Sequence, residues 1–206
     1  MKHVFFEPWI GKDYNTGGIF SKKILVLGES HYCGSESCNQ CGLKYGETCE
    51  DLNPTVVIET YLSGHKAEWT RTITKFERSL VNKETNLNDS KDIWNSVAFF
   101  NFLQVAMKEP RQKGTAEDYE EGRIAFLEVV ENLQPDLIIV WGSTRLYDNL
   151  PETGWLSGDN LEFDGKRIRN GYYQLMNGCK SRLIAVNHPS TGYSPQWWYK
   201  VISSQM

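Results

Sequence analysis

The sequence predicts an α/β protein, a three-layer α/β/α sandwich around a central, mostly parallel sheet. Two apolar runs carry most of that prediction. Lys23-Ile24-Leu25-Val26-Leu27 breaks into Gly28-Glu29-Ser30-His31-Tyr32, and Arg182-Leu183-Ile184-Ala185-Val186 breaks into Asn187-His188-Pro189-Ser190. Short β-branched and leucine-rich runs read as strands buried on both faces of a parallel sheet. The third observation is that such runs alternate with helical patterns along the chain.

Taken in order, residues 1–20 read as an irregular lead-in with Gly17-Gly18 before the first strand. Residues 33–55 form a cysteine- and glycine-rich excursion too polar for a core. Residues 67–81 have helical spacing, with Trp69, Ile73, Phe76 and Leu80 on one face. Residues 92–104 read as a short helix leading into a buried strand that ends near Asn101. Thr115, with Asp118 three residues on, caps a helix that runs to Leu133 and closes at Gln134-Pro135. Residues 137–141 are another buried strand, and Gly142-Ser143 opens the helix after it. Residues 161–168 read as a hairpin around Asp164-Gly165, and residues 195–203 as the last helix.

The 206 residues are expected to form a single domain spanning 1–206, with a cysteine-rich metal-binding loop at 33–49. The composition, 40% hydrophobic and 23% charged, is that of an ordinary globular chain. A net charge of −4 excludes a protein that coats nucleic acid through overall basic charge. Any such contact needs a local patch, for which Lys22 and Lys23, Arg111 with Lys113, and Lys166, Arg167 and Arg169 are the candidates. Each also reads as an ordinary solvated surface. Seven Trp and ten Tyr suit a site that stacks flat ligands, and equally serve a core. No apolar run approaches the roughly 20 residues needed to span a bilayer. The N-terminal stretch is too short for a signal sequence and carries Glu7. A cytoplasmic protein with no membrane partner is expected.

Cys33, Cys38, Cys41 and Cys49 fall within 17 residues, and Cys179 stands apart. The two-residue gap between Cys38 and Cys41 lets two thiolates reach one metal, and the other two complete a four-sulfur tetrahedral site. In a reducing compartment such clustering favours metal over disulfides. The spacing favours a structural Zn²⁺ over an iron–sulfur cluster, whose usual last gap is longer. Unligated or redox cysteines are the remaining reading.

The strand ends, in order, resemble the uracil-DNA glycosylase superfamily. Residues 24–32 resemble its Gly-led loop, which positions the attacking water. Val97-Ala98-Phe99-Phe100-Asn101 resembles its apolar strand ending in a base-reading Asn. Leu137-Ile138-Ile139-Val140-Trp141-Gly142 resembles a structural strand of many members, and Asn187-His188-Pro189-Ser190 its His-Pro-Ser loop. The resemblance covers residues 23–199. It departs at Ser30 and His31, where the family often has an acidic or amide residue and a Pro. Ser30 cannot act as a carboxylate base, which leaves that role to Glu29.

The resemblance implies hydrolysis of the N-glycosidic bond of uracil or another damaged base in DNA, in base-excision repair. That reaction places positive charge on the sugar and negative charge on the departing base. It needs a carboxylate near the sugar and donors near the base oxygen. Glu29 and His188 are the implied catalytic pair, His188 as a neutral donor. Gly28, Ser30, His31, Tyr32, Asn101 and Ser190 are the implied substrate-binding residues. Asn101 offers a donor and an acceptor to a pyrimidine edge, Tyr32 a stacking ring, and Ser190 a phosphate contact. Tyr193 is the candidate wedge that would flip the base from the duplex. His31 reads either as a residue hydrogen-bonded behind the site or as a metal ligand.

Two alternatives use the same residues. One is a non-catalytic nucleotide or nucleic-acid binding module, and the other is a metal-dependent hydrolase built on Glu29, His31 and His188.

Overall fold

The computed structural model describes residues 1–33, 52–109 and 111–206. Cys38, Cys41 and Cys49, and so most of the expected metal loop, lie outside them.

The chain opens with a two-residue strand, β1 (Trp9–Ile10), then β2 (Ile24–Gly28) and β3 (His31–Tyr32). Three helices follow: α1 (Pro54–Leu62), α2 (Thr70–Val81) and α3 (Leu87–Asn95). Next come β4 (Val97–Asn101), β5 (Ala106–Met107), α4 (Ala116–Leu133), β6 (Leu137–Trp141) and the short α5 (Arg145–Asp148). The last part contains β7 (Trp155–Ser157), β8 (Leu161–Phe163), β9 (Lys166–Ile168), β10 (Asn170–Gln174), β11 (Lys180–Val186) and α6 (Pro195–Ser203).

Seven strands form the main sheet in the order β1-β4-β2-β6-β11-β10-β7. The central four, β4-β2-β6-β11, are parallel. The strands at both edges are antiparallel to their neighbours. The parallel strands are buried along their length because both faces are covered. Leu25, Leu27, Phe100, Ile138 and Val140 pack with Phe126, Val129 and Val130 of α4. Ile24, Val26, Val97, Ile139 and Ile184 pack with side chains of α1, α2, α3 and α6. Alternate residues of one strand therefore feed opposite clusters, as pleating requires.

The local signals act as read. The Thr115 hydroxyl accepts from Asp118 N while the Asp118 carboxylate accepts from Thr115 N, a complete capping box. Asp164 and Gly165 both take positive φ, 48° and 73°, which turns β8 directly into β9.

Four expectations need correction. The lead-in supplies β1, which pairs with β4 through Trp9 and Phe99. It is too short for any periodicity to show. Residues 67–69 make a turn, and Trp69, 39% exposed, falls outside the buried face of Ile73, Phe76 and Leu80. The helix before β4 starts earlier than 92, at Leu87, where Asn86 and Asp89 form another capping box. Gly142-Ser143 does not open a helix: Gly142 has φ 146° and Thr144 is also non-helical, so α5 starts at Arg145.

Candidate functional site

β2 lies between β4 and β6, so the chain runs to one side of β2 and then crosses back to the other. In open α/β sheets a crevice forms beyond the carboxyl ends of the strands where the direction reverses. Here that point lies between β2 and β6. Gly28 pairs with Asn101 and Leu27 with Val140, so these strand ends lie level.

Glu29 and Arg145 bridge the crevice. Arg145 Nε donates to Glu29 Oε1 at 2.5 Å, and Arg145 Nη2 donates to Oε2. The Tyr119 hydroxyl, from α4, donates to Oε1 at 2.7 Å. Both carboxylate oxygens are therefore occupied by protein donors. The bond to Glu29 raises the pKa of Arg145, and burial followed by Glu29 raises that of Tyr119. Arg145 Nη1 also donates to Arg111 O at 3.2 Å.

His31 and Asn101 form a separate buried pair. Asn101 Nδ2 lies 3.3 Å from both ring nitrogens of His31. Phe6 packs on the ring with centroids 4.6 Å apart. Burial pushes the His31 pKa down to about 3. Gly28 is required here, since a Cβ at that position would lie 2.1 Å from Asn101 Oδ1.

His188 stands at the end of β11. The Ser190 amide donates to its Nδ1 at 3.2 Å, and the Ser190 hydroxyl lies 2.7 Å from the same nitrogen. An amide is an obligatory donor, so Nδ1 accepts and the proton sits on Nε2. Burial lowers the His188 pKa, Glu29 opposes that shift, and Arg111 and Arg145 add to it. The ring is a neutral Nε2–H donor near pH 7. Trp141 meets it edge to face at 6.0 Å. Trp141 Nε1 and Ser30 Oγ are buried with no hydrogen-bond partner among the described residues. Arg78 Nε, Asn170 Oδ1 and Arg182 Nη1 share that condition elsewhere among the described residues.

Beside His188 opens a cleft of about 470 Å³, with Lys166, Arg167 and Arg169 on one wall, Ser194 and Trp197 on another, and Asn187 between. Ser143 Oγ donates to Asn187 Oδ1 at 3.1 Å.

The structure thus gathers Glu29, Ser30, Asn101, His188 and Ser190 at one end of the sheet, with Tyr32 exposed at the rim. The Tyr32 hydroxyl accepts from Arg111 N at 3.5 Å. Tyr193 is not a wedge. It is buried, bonds Ser79 Oγ at 2.6 Å and stacks on Trp198. Arg145 and Tyr119 escape sequence reading. The one signal was a cation just past the third parallel strand, opposite Glu29 only once the strand order is known. Cys33 is buried with Phe6, Leu52 and Ala106. No group of residues able to hold a metal occurs among the described residues. No helix among them is long and apolar enough to cross a membrane.

No protein-family model matches the chain, and no curated protein does.

Proposed function

We propose that the protein is a uracil-DNA glycosylase-like hydrolase on a three-layer α/β/α fold, cleaving the N-glycosidic bond of uracil or another damaged base in DNA. The observation that carries the reading is His188, a neutral imidazole whose Nδ1 is tied to Ser190 and whose Nε2–H has no protein partner among the described residues.

In this reading the bond from the sugar to the base breaks, with its electron pair leaving on the base. Water then adds to the sugar carbon and gives up a proton, and the departed base anion takes up a proton from solvent. His188 Nε2–H donates to the base oxygen on which that charge collects. Glu29 Oε2, which takes a single donor among the described residues, keeps a lone pair that orients the water and faces the developing cation. Arg145 offsets part of its charge and fixes its position. Asn101 reads the base only if its amide turns from His31, because it is 6% exposed. Ser30 Oγ and Trp141 Nε1 are unused polar groups at the same strand ends. Cys33, Cys38, Cys41 and Cys49 are assigned a structural Zn²⁺. Metal analysis of purified protein tests that assignment, with stoichiometric zinc expected and an iron–sulfur absorbance overturning it.

One observation favours the second reading, a nucleotide or nucleic-acid binding module: both oxygens of Glu29 are already engaged. Base release from single- and double-stranded oligonucleotides carrying uracil, hypoxanthine or xanthine separates the two. Release that is lost in Glu29→Gln and His188→Ala supports the glycosylase. Oligonucleotide binding without release, by folded metal-replete protein, replaces it with the binding module.

A further inference from the structure

We infer that the cleft between the β8–β9 hairpin and α6 is a subsite for one unpaired nucleotide flanking the reacting base. The inference rests on the glycosylase-like reading of the adjoining site only for which strand it names. The cleft itself is built from chemistry that recognises single strands.

First, its charge opposes that of the chain. Lys166, Arg167 and Arg169 line it, and the acids near it are engaged at its margin, Asp148 with Arg169 and Asp164 with Trp197, although the chain carries a net charge of −4. Arg169 is held by an ion pair with Asp148 and lies over Tyr147, which fixes it in place. The Arg167 side chain is exposed, with Glu162 opposite it in the β8–β9 ladder, and makes no hydrogen bond or ion pair among the described residues. It is the cation most available to a phosphate.

Second, the cleft holds an oriented aromatic wall. Trp197 Nε1 donates to Asp164 Oδ2 at 2.8 Å, tying α6 to the hairpin turn. That bond also turns the one acid of the turn toward the indole. Lys166 Nζ lies over the face of the Trp197 ring, 5.3 Å from its centre, so a base stacks on that face as the lysine swings out to its phosphate. Cations beside an aromatic face are the common means of holding an unpaired base and its phosphate.

Third, size and position agree. About 470 Å³ falls within the range of clefts that hold one small ligand. A single nucleotide fits such a space and a paired helix does not. Asn187 lines the cleft and precedes His188, so a strand reaching His188 needs only a short step to enter it.

The test is fluorescence anisotropy of the full-length protein with a short labelled oligothymidylate and with a duplex of equal length, across a salt series. The single strand is expected to bind about tenfold more tightly than the duplex, the low end of what one stacked base contributes. Arg167→Glu and Lys166→Glu are each expected to weaken single-strand binding and to flatten the salt dependence by about 0.7 in the log–log slope. Arg167 is exposed, so its variant keeps the fold. Trp197→Ala is expected to lose about tenfold as well.

Duplex binding equal to single-strand binding overturns the subsite, as does unchanged affinity in both charge variants. Base release is read separately. Variant-sensitive binding without base release keeps the subsite and removes the glycosylase. Base release with variant-insensitive binding does the reverse.

Discussion

Two histidines follow parallel strands of the same sheet, and their surroundings make them opposites. His31, after β2, is 4% exposed, lies under Phe6 and is approached by the Asn101 amide. His188, after β11, is only partly buried, with Nδ1 bound to Ser190 and Nε2–H without a protein partner among the described residues. Position at a strand end is shared, so it cannot be what sets them apart. The difference lies in the next few residues. Pro189 turns the chain so that the Ser190 amide returns to the ring, whereas His31 continues into β3 and pairs with Ala106. A turn presents the imidazole, and a strand buries it.

The largest expected effect breaks the comparison at His188. His188→Ala is expected to lower base release about 10²–10³-fold, the usual effect of removing a donor to a developing anion. Its thermal melt should be nearly unchanged. An equal loss of activity in His31→Gln, at matched folded fraction, would show that the two sites are not distinct.

The next effect belongs to His31 and is read as stability against pH. The folded-state pKa is lowered to about 3, so the unfolded chain takes up the proton first, below about 6.5. Stability is therefore lost as pH falls through that window and levels off near the folded value. The expected slope is about 1 kcal/mol per pH unit between pH 6 and 4. Urea melts in that range measure it. His31→Gln should flatten the curve and His188→Ala should leave most of it. A flat curve in the parent protein would remove the buried neutral imidazole.

A smaller effect sharpens the contrast from the backbone side. Gly28→Ala places a Cβ against Asn101 Oδ1, and Asn101 is hemmed in by His31. The expected loss is about 1–3 kcal/mol, typical of overpacking. The His188 titration, followed by NMR, should not move. A shifted His188 titration would mean that the two strand ends respond as one unit.

What the sequence made legible follows the same division. The parallel strands show as unbroken apolar runs because both faces are buried, and Glu29, Asn101 and His188 show because they end those runs. β10 does not show: its burial alternates as an antiparallel flank strand should, but over only five residues that include Gly171. Tyr193 reads as a loop residue until its partner Ser79, 114 positions away, is brought to it. The Glu29–Arg145 pair was illegible for a related reason. Its partners are 116 residues apart and meet only because β6 lies beside β2. Strand order, which no local pattern encodes, decided which cation met that carboxylate.

The smallest effect tests how that pair is supported. Tyr119→Phe removes one donor from Glu29 Oε1 and leaves both contacts from Arg145. The carboxylate keeps a partner on each oxygen, so the loss is expected to be about 1 kcal/mol, the net worth of a single hydrogen bond. Arg145→Met should cost more, because it takes two donors and the only charge facing Glu29 at bonding distance among the described residues. A double-mutant cycle in urea melts reads the coupling between the two. A loss in Tyr119→Phe that exceeds that in Arg145→Met would make the phenol, held from α4, the principal anchor of Glu29. The crevice between β2 and β6 would then be set by the helix, with Arg145 free to leave Glu29 for an incoming phosphate. The opposite order leaves Arg145 as the anchor, and a ligand that draws it away must leave Glu29 held by Tyr119 alone.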